Sequence, residues 1–139
     1  LNQFALVTAY DVIRNTVWSR GAVAPSSESM THGAVYDLAP HIRFVFHAHS
    51  PQIWRHAAAL GIPMTDPRIE YGTPQMASQV SRLARGSTPW ETQLFGMAGH
   101  EDGIVSFGRS ADEAGHRLMS ALARGYALSY DSDTPICIP

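Results

Sequence analysis

The stretch at residues 42–49 (IRFVFHAH) constrains the fold more than any other part of the chain. Ile42, Phe44 and Phe46 fall on one face of an extended backbone, and Arg43, Val45, His47 and His49 on the other. That period of two predicts a β-strand. His47 and His49 then project side by side, their bases roughly 6–7 Å apart. From there two imidazole nitrogens can share a zinc ion at ~2.1 Å. A bare His-x-His pair also has an ordinary explanation, as half-buried strand residues bonded to backbone carbonyls. A third imidazole strengthens the metal reading. His100 lies in a turn-forming stretch, 99–103 (GHEDG), between further predicted strands at 92–98 and 104–107. Three histidines with one open position make a catalytic zinc site rather than a closed structural one.

The rest of the pattern interleaves strands and helices. Residues 4–10 and 11–18 are apolar and β-rich, and predict two strands or a strand and a turn. Residues 26–38 predict a short helix, with Pro25 before it, serines at the cap positions and Pro40 beyond. Residues 51–60 predict a helix ended by Gly61. Pro74 opens another that turns Met76, Val80 and Leu83 to the core and stops at Gly86. Ser110 and Glu113 have the spacing of a capping box, leading a helix with Ala114, Leu118 and Leu122 facing inward. Short strand-to-strand links favour a mainly antiparallel (mixed) sheet covered by helices, an α/β domain, over a doubly wound parallel sheet. No repeat or linker divides the chain, so residues 1–139 read as one domain.

Composition narrows the chemistry. All ten Lys+Arg residues are arginine, so no side chain can form a Schiff base with a carbonyl substrate or hold pyridoxal phosphate. Carbonyl chemistry here needs another electron sink, and a metal ion supplies one. Cys137 is the only cysteine, which excludes an intrachain disulfide and a cysteine-rich zinc cage. A net charge of −2 with no basic stripe argues against nucleic acid and membrane surfaces as partners. No apolar run approaches the ~20 residues of a spanning helix, and nothing at the start reads as a signal peptide. A cytoplasmic location is the expectation.

Ahead of the histidine strand stand Pro25, Ser26, Ser27 and Glu28, with His32 one helical turn further on. Free backbone N–H groups and two serine hydroxyls at a helix start suit a phosphate or carboxylate. Helix electrostatics alone also favours a first-turn glutamate. At i+4 spacing, His32 is placed to orient Glu28 or bond to it.

The order Pro25, Ser26, Ser27, Glu28, His32, then Val35 and Tyr36, then Phe46, His47, Ala48 and His49, resembles the class II aldolase/adducin family. Nineteen positions separate Glu28 from His47, as in the family. Downstream, Tyr71, Gly72 and Thr73 lead a helix, and a strand runs into His100. The resemblance implies a single three-layer α/β/α domain with a central, mainly antiparallel sheet. It implies a divalent metal, zinc above others, on His47, His49 and His100. Ser26 and Ser27 would hold the substrate's phosphate, and Glu28 would shuttle the proton. The implied activity is a lyase that cleaves or forms a C–C bond in a small hydroxylated carbonyl compound. A retro-aldol epimerase and a non-catalytic, adducin-like interaction domain are the alternatives. A homo-oligomer, commonly a tetramer, is implied as well.

Three departures point to a divergent substrate. The family's upstream Gly-Asn-x-Ser segment lies before Leu1 or is missing. Between Pro63 and Tyr71 the chain is shorter than the sugar aldolases, so their catalytic tyrosine segment has no counterpart. The stretch 99–103 replaces the usual His-Gly pair, which leaves the third ligand open among His100, Asp102 and, behind them, Glu101.

Overall fold

The computed structural model describes residues 2–86 and 88–133; Cys137 lies outside them. β1 (Ala5–Asp11) and β2 (Thr16–Gly21) pair as an antiparallel hairpin that forms a sheet by itself. Its tight turn uses Asn15 at φ 50, a conformation asparagine tolerates. α1 (Ser29–Tyr36) follows and is clamped to the hairpin by Tyr10. The Tyr10 hydroxyl donates to Asp37 Oδ1 at 2.5 Å, with the Gly33 carbonyl 3.2 Å away. Burial, and then the neighbouring Asp37 carboxylate, push its pKa up to about 12. Gly33 is required at this crossing, because a Cβ there would lie 2.7 Å from the Tyr10 ring.

β3 (Phe44–His49) realises the predicted strand and is an edge of the second sheet. The predicted helix over 51–60 forms as two short ones, α2 (Pro51–Arg55) and α3 (Ala57–Leu60). They break at His56, which caps neither helix with its side chain and instead bonds Ser129 Oγ at 3.0 Å. Gly61 ends α3 in the left-handed conformation, φ 69. α4 (Pro74–Ala84) opens on Thr73, whose hydroxyl accepts the Met76 N–H, with Pro74 in its first turn. α5 (Thr88–Thr92) was not anticipated, and it leaves β4 (Leu94–Gly96) only three residues of the expected strand over 92–98. β5 (Gly103–Gly108) is the middle strand, antiparallel to both neighbours in the order β3-β5-β4. α6 (Ala111–Asp133) begins at the predicted Ser110, with a variant of the expected box in which Glu113 reaches one residue further back. Ser110 Oγ accepts the Glu113 N–H, while the Glu113 carboxylate accepts the Arg109 N–H. The architecture is thus mixed α/β, with its antiparallel strands divided between two sheets.

Alternation along β5 divides the core into two clusters. Val105 and Phe107 join Val45, Phe95 and Met97 with Ala34 and Val35 of α1 and Met76, Ala77 and Val80 of α4. Ile104 joins Leu94, Ile53, Ala57 and Leu60, against which Leu118 and Leu122 of α6 pack. Because apolar groups cover β3 on both faces, its alternation does not separate core from solvent. Val45, on the histidine face, is 6% exposed, whereas Phe44 at the strand's start is 40% exposed. The histidines therefore continue a core-facing row up to its wet end.

Candidate metal centre

His47 and His49 sit opposite Val105 and Gly103 in the β3–β5 ladder, at the end where β5 begins. The β4–β5 connection folds His100 back over that end. The Met97 N–H bonds the Gly103 carbonyl at 2.8 Å, the His100 N–H bonds the Met97 carbonyl at 3.0 Å, and the Gly103 N–H bonds the His100 carbonyl at 2.9 Å. Asp102 takes φ 62 in this turn, and its carbonyl accepts the Ser50 N–H at 2.8 Å. A Cβ at Gly103 would lie 3.2 Å from the His100 ring, so the glycine makes room for the third imidazole.

The three rings meet with centroids 5.0, 5.2 and 4.7 Å apart. One potential ligand atom from each lies within 4.8 Å of the others, and among the described residues no other His, Cys, Asp or Glu cluster does this. A tetrahedral ion with donors at ~2.1 Å wants them about 3.4 Å apart, so the rings would draw closer together to hold one. Asp102 and Glu101 stay outside the cluster, so the geometry favours His100 among the three candidates.

Glu28 lies beside the histidines, but not in the way a helix cap would. It occupies the N-cap position of α1 with no side-chain cap bond, and no acidic residue stands in the first turn. Ser26 and Ser27, expected at the cap, lie before it and are exposed; the Ser26 carbonyl accepts the Ser29 N–H at 3.1 Å. The helix thus begins three residues later than expected because Glu28 turns into the interior, where it is 3% exposed. Its Oε1 is 3.5 Å from His100 Nδ1. His32 is half-buried, burial lowers its pKa, and it makes no bond to Glu28.

Four buried polar atoms here have no hydrogen-bond partner: Glu28 Oε1 and Oε2, His47 Nε2 and His100 Nδ1. Buried polar groups are paired in the great majority of cases, so a cluster of orphans calls for a cause. A divalent cation fits this donor set: neutral imidazoles bind it, and a nearby carboxylate balances its charge. Burial, and then the neighbouring His100, His49 and His32, lower the His47 pKa to about 4. At neutral pH its lone pair is free for a metal.

That shift has a measurable consequence in the metal-free protein. Unfolded histidine titrates near ~6.5, so the stability contributed by a neutral His47 is fully present above that pH. It is lost as pH falls from there through about 4. Discounted for the ring's partial exposure, the loss is about 1–2 kcal/mol. Urea unfolding in chelator at pH 7 and pH 4.5 should show it, and His47→Asn should remove that part of the pH dependence.

Sequence reasoning missed Tyr71. Its ring lies 4.1 Å from that of His100, centroid to centroid, at a 40° tilt. Its place in sequence, before Gly72 and the cap Thr73, marked only a helix start.

No helix among the described residues is long and apolar enough to cross a membrane. No curated protein matches the chain. Residues 2–123 match the family model of the class II aldolase and adducin N-terminal domain, a span that takes in the hairpin, Glu28, all three histidines and half of α6. With nearly the whole chain covered, this protein belongs to the class II aldolase/adducin family.

Proposed function

We propose that the chain is a zinc-dependent lyase that cleaves or forms a C–C bond in a small hydroxylated carbonyl compound by a retro-aldol, enediolate route. The carrying observation is the buried, unpartnered Glu28 carboxylate 3.5 Å from His100, one member of a three-histidine cluster. His47, His49 and His100 are the ligands in this reading. When bound, a divalent ion polarises the carbonyl and adjacent hydroxyl oxygens of the substrate. Glu28 moves the proton at carbon. As the C–C bond breaks, its electron pair stays with the enediolate fragment, and Glu28, having taken up a proton from solvent, delivers it to that carbon. The proton of the cleaved hydroxyl leaves to water as the aldehyde forms. Ser26 and Ser27, exposed just before Glu28, hold anionic or hydroxyl oxygens of the substrate.

Helices on both faces of the β3-β5-β4 sheet support the three-layer α/β/α reading, with that sheet as the middle layer. Phe4, Leu6 and Trp18 project from the hairpin into solvent, a surface that suits the implied homo-oligomer. Nothing favours a non-catalytic, adducin-like role, because the histidines and the buried carboxylate are all retained.

The test is to incubate the zinc-loaded protein with phosphorylated and free ketoses, following aldehyde release and deuterium exchange at the α-carbon. Cleavage or exchange with at least one substrate is expected, and product analysis separates lysis from epimerisation by re-addition. Metal-loaded protein that performs neither on the whole panel would contradict the reading.

Substitution of the third ligand is a smaller test. His100→Ala should weaken zinc affinity by more than ~10-fold, since even losses behind the ligands cost 10–100-fold. Asp102→Asn should do less, as its backbone serves the turn while its side chain stays outside the cluster. Competition with a chromogenic chelator gives the ranking, and the reverse order would reassign the ligand.

A further inference from the structure

A ligand histidine is ordinarily held in place by a hydrogen bond from its second ring nitrogen to a carboxylate or carbonyl. His100 lacks one whichever nitrogen faces the metal: neither ring nitrogen makes a hydrogen bond among the described residues, and the approach of Nδ1 to Glu28 at 3.5 Å is too long for a good one. Besides the other two imidazoles, the ring against it is that of Tyr71, 4.1 Å away centroid to centroid and tilted by 40°. Tyr71 is itself 49% exposed, and its hydroxyl bonds nothing among the described residues, so neither burial nor a hydrogen bond of its own fixes it there.

Its loop is tied down instead. The Asn15 side chain, from the β1–β2 turn, donates to the Gly72 carbonyl at 3.1 Å. Gly72 takes φ +68 and lies against Ser27, where a Cβ would come 3.4 Å from the serine Cβ. The Thr73 hydroxyl donates to the Glu70 carbonyl at 2.7 Å. On the other side Gly99 abuts the Ile69 carbonyl so closely that any Cβ would collide with it. The segment bearing Tyr71 is thus pinned to the hairpin, to the approach to Glu28 and to the turn that carries His100.

We propose that Tyr71 is a positioning residue for the metal centre, its ring setting the plane of His100 in place of the missing hydrogen bond. The inference rests on His100 being a metal ligand. Stacking needs the ring and not the hydroxyl, so phenylalanine should serve and leucine should not.

Cobalt(II) added to chelator-stripped protein reads this through its visible absorption, independently of turnover. Tyr71→Leu should lower cobalt affinity about tenfold, the low end of losses behind a ligand, and change the band shape. Tyr71→Phe should bind and absorb like the original protein. Asn15→Asp removes the donor to Gly72 while keeping a residue that tolerates positive φ, and should weaken cobalt binding in the same direction without touching the ring. It carries the test if the leucine variant fails to fold. A folded leucine variant that binds cobalt normally, or a phenylalanine variant as weak as leucine, overturns the role of the stack. His100→Ala in parallel tells this failure from a deeper one. If that variant binds weakly while Tyr71→Leu is unaffected, only Tyr71 is wrongly assigned. If His100→Ala also binds normally, the metal-centre assignment itself falls.

Discussion

Glu28→Gln is expected to lower turnover by ~10²–10⁴-fold, the usual contribution of a positioned proton-transfer group, while fold and bound metal are kept. The amide preserves shape and hydrogen-bonding reach but cannot carry a proton. The prediction is sharp because the carboxylate's ordinary roles have been removed by the structure. Glu28 makes no cap bond, and no salt bridge holds it except the long approach to His100. If its task were instead to orient His100, the glutamine variant would lose metal affinity by 10–100-fold and recover turnover at saturating zinc. Both cleavage and α-proton exchange should be followed at saturating zinc. Wild-type rates in both would remove Glu28 from the mechanism.

Replacing His47 and His49 together by alanine is expected to weaken zinc binding by at least ~10³-fold. Two of the three proposed ligands go in that variant, and groups merely behind ligands cost 10–100-fold each. The fold should survive, because the side chains lie at the wet end of β3, and Val45 supplies that row's core contact. Stability of the metal-free protein at low pH should even improve, as the depressed titration of His47 no longer opposes folding. Competition with a chelator of known affinity, alongside urea unfolding at pH 4.5, measures both effects.

Much of this was legible in the sequence where short-range rules govern. The period of two located β3 and set both histidines on one face, because side-chain direction in a strand follows from backbone geometry alone. Thr73 with Pro74, and Ser110 with Glu113, marked two helix starts, because the cap bonds they make are local. What escaped depends on tertiary contacts. Two serines competent to cap stand before α1, yet its N-cap is Glu28, since the carboxylate is drawn inward to the histidines. The helix over 51–60 is broken at His56, whose partner Ser129 lies far along the chain. Tyr71 meets His100 only because a glycine pair, Gly72 and Gly99, lets two loops close on each other. The third ligand was open among His100, Asp102 and Glu101 because a turn sequence does not say which side chain points back; the backbone bonds of residues 97–103 bring His100, and not the other two, to His47 and His49.

Elemental analysis tests the central claim most directly. Protein purified without chelators, or stripped and reloaded with zinc, should carry about one divalent ion per chain, as a single three-histidine site requires. That ion should be lost from the His47→Ala/His49→Ala variant and kept in Glu28→Gln. A chain that takes up no metal, or a double variant with unchanged metal content, would contradict the account.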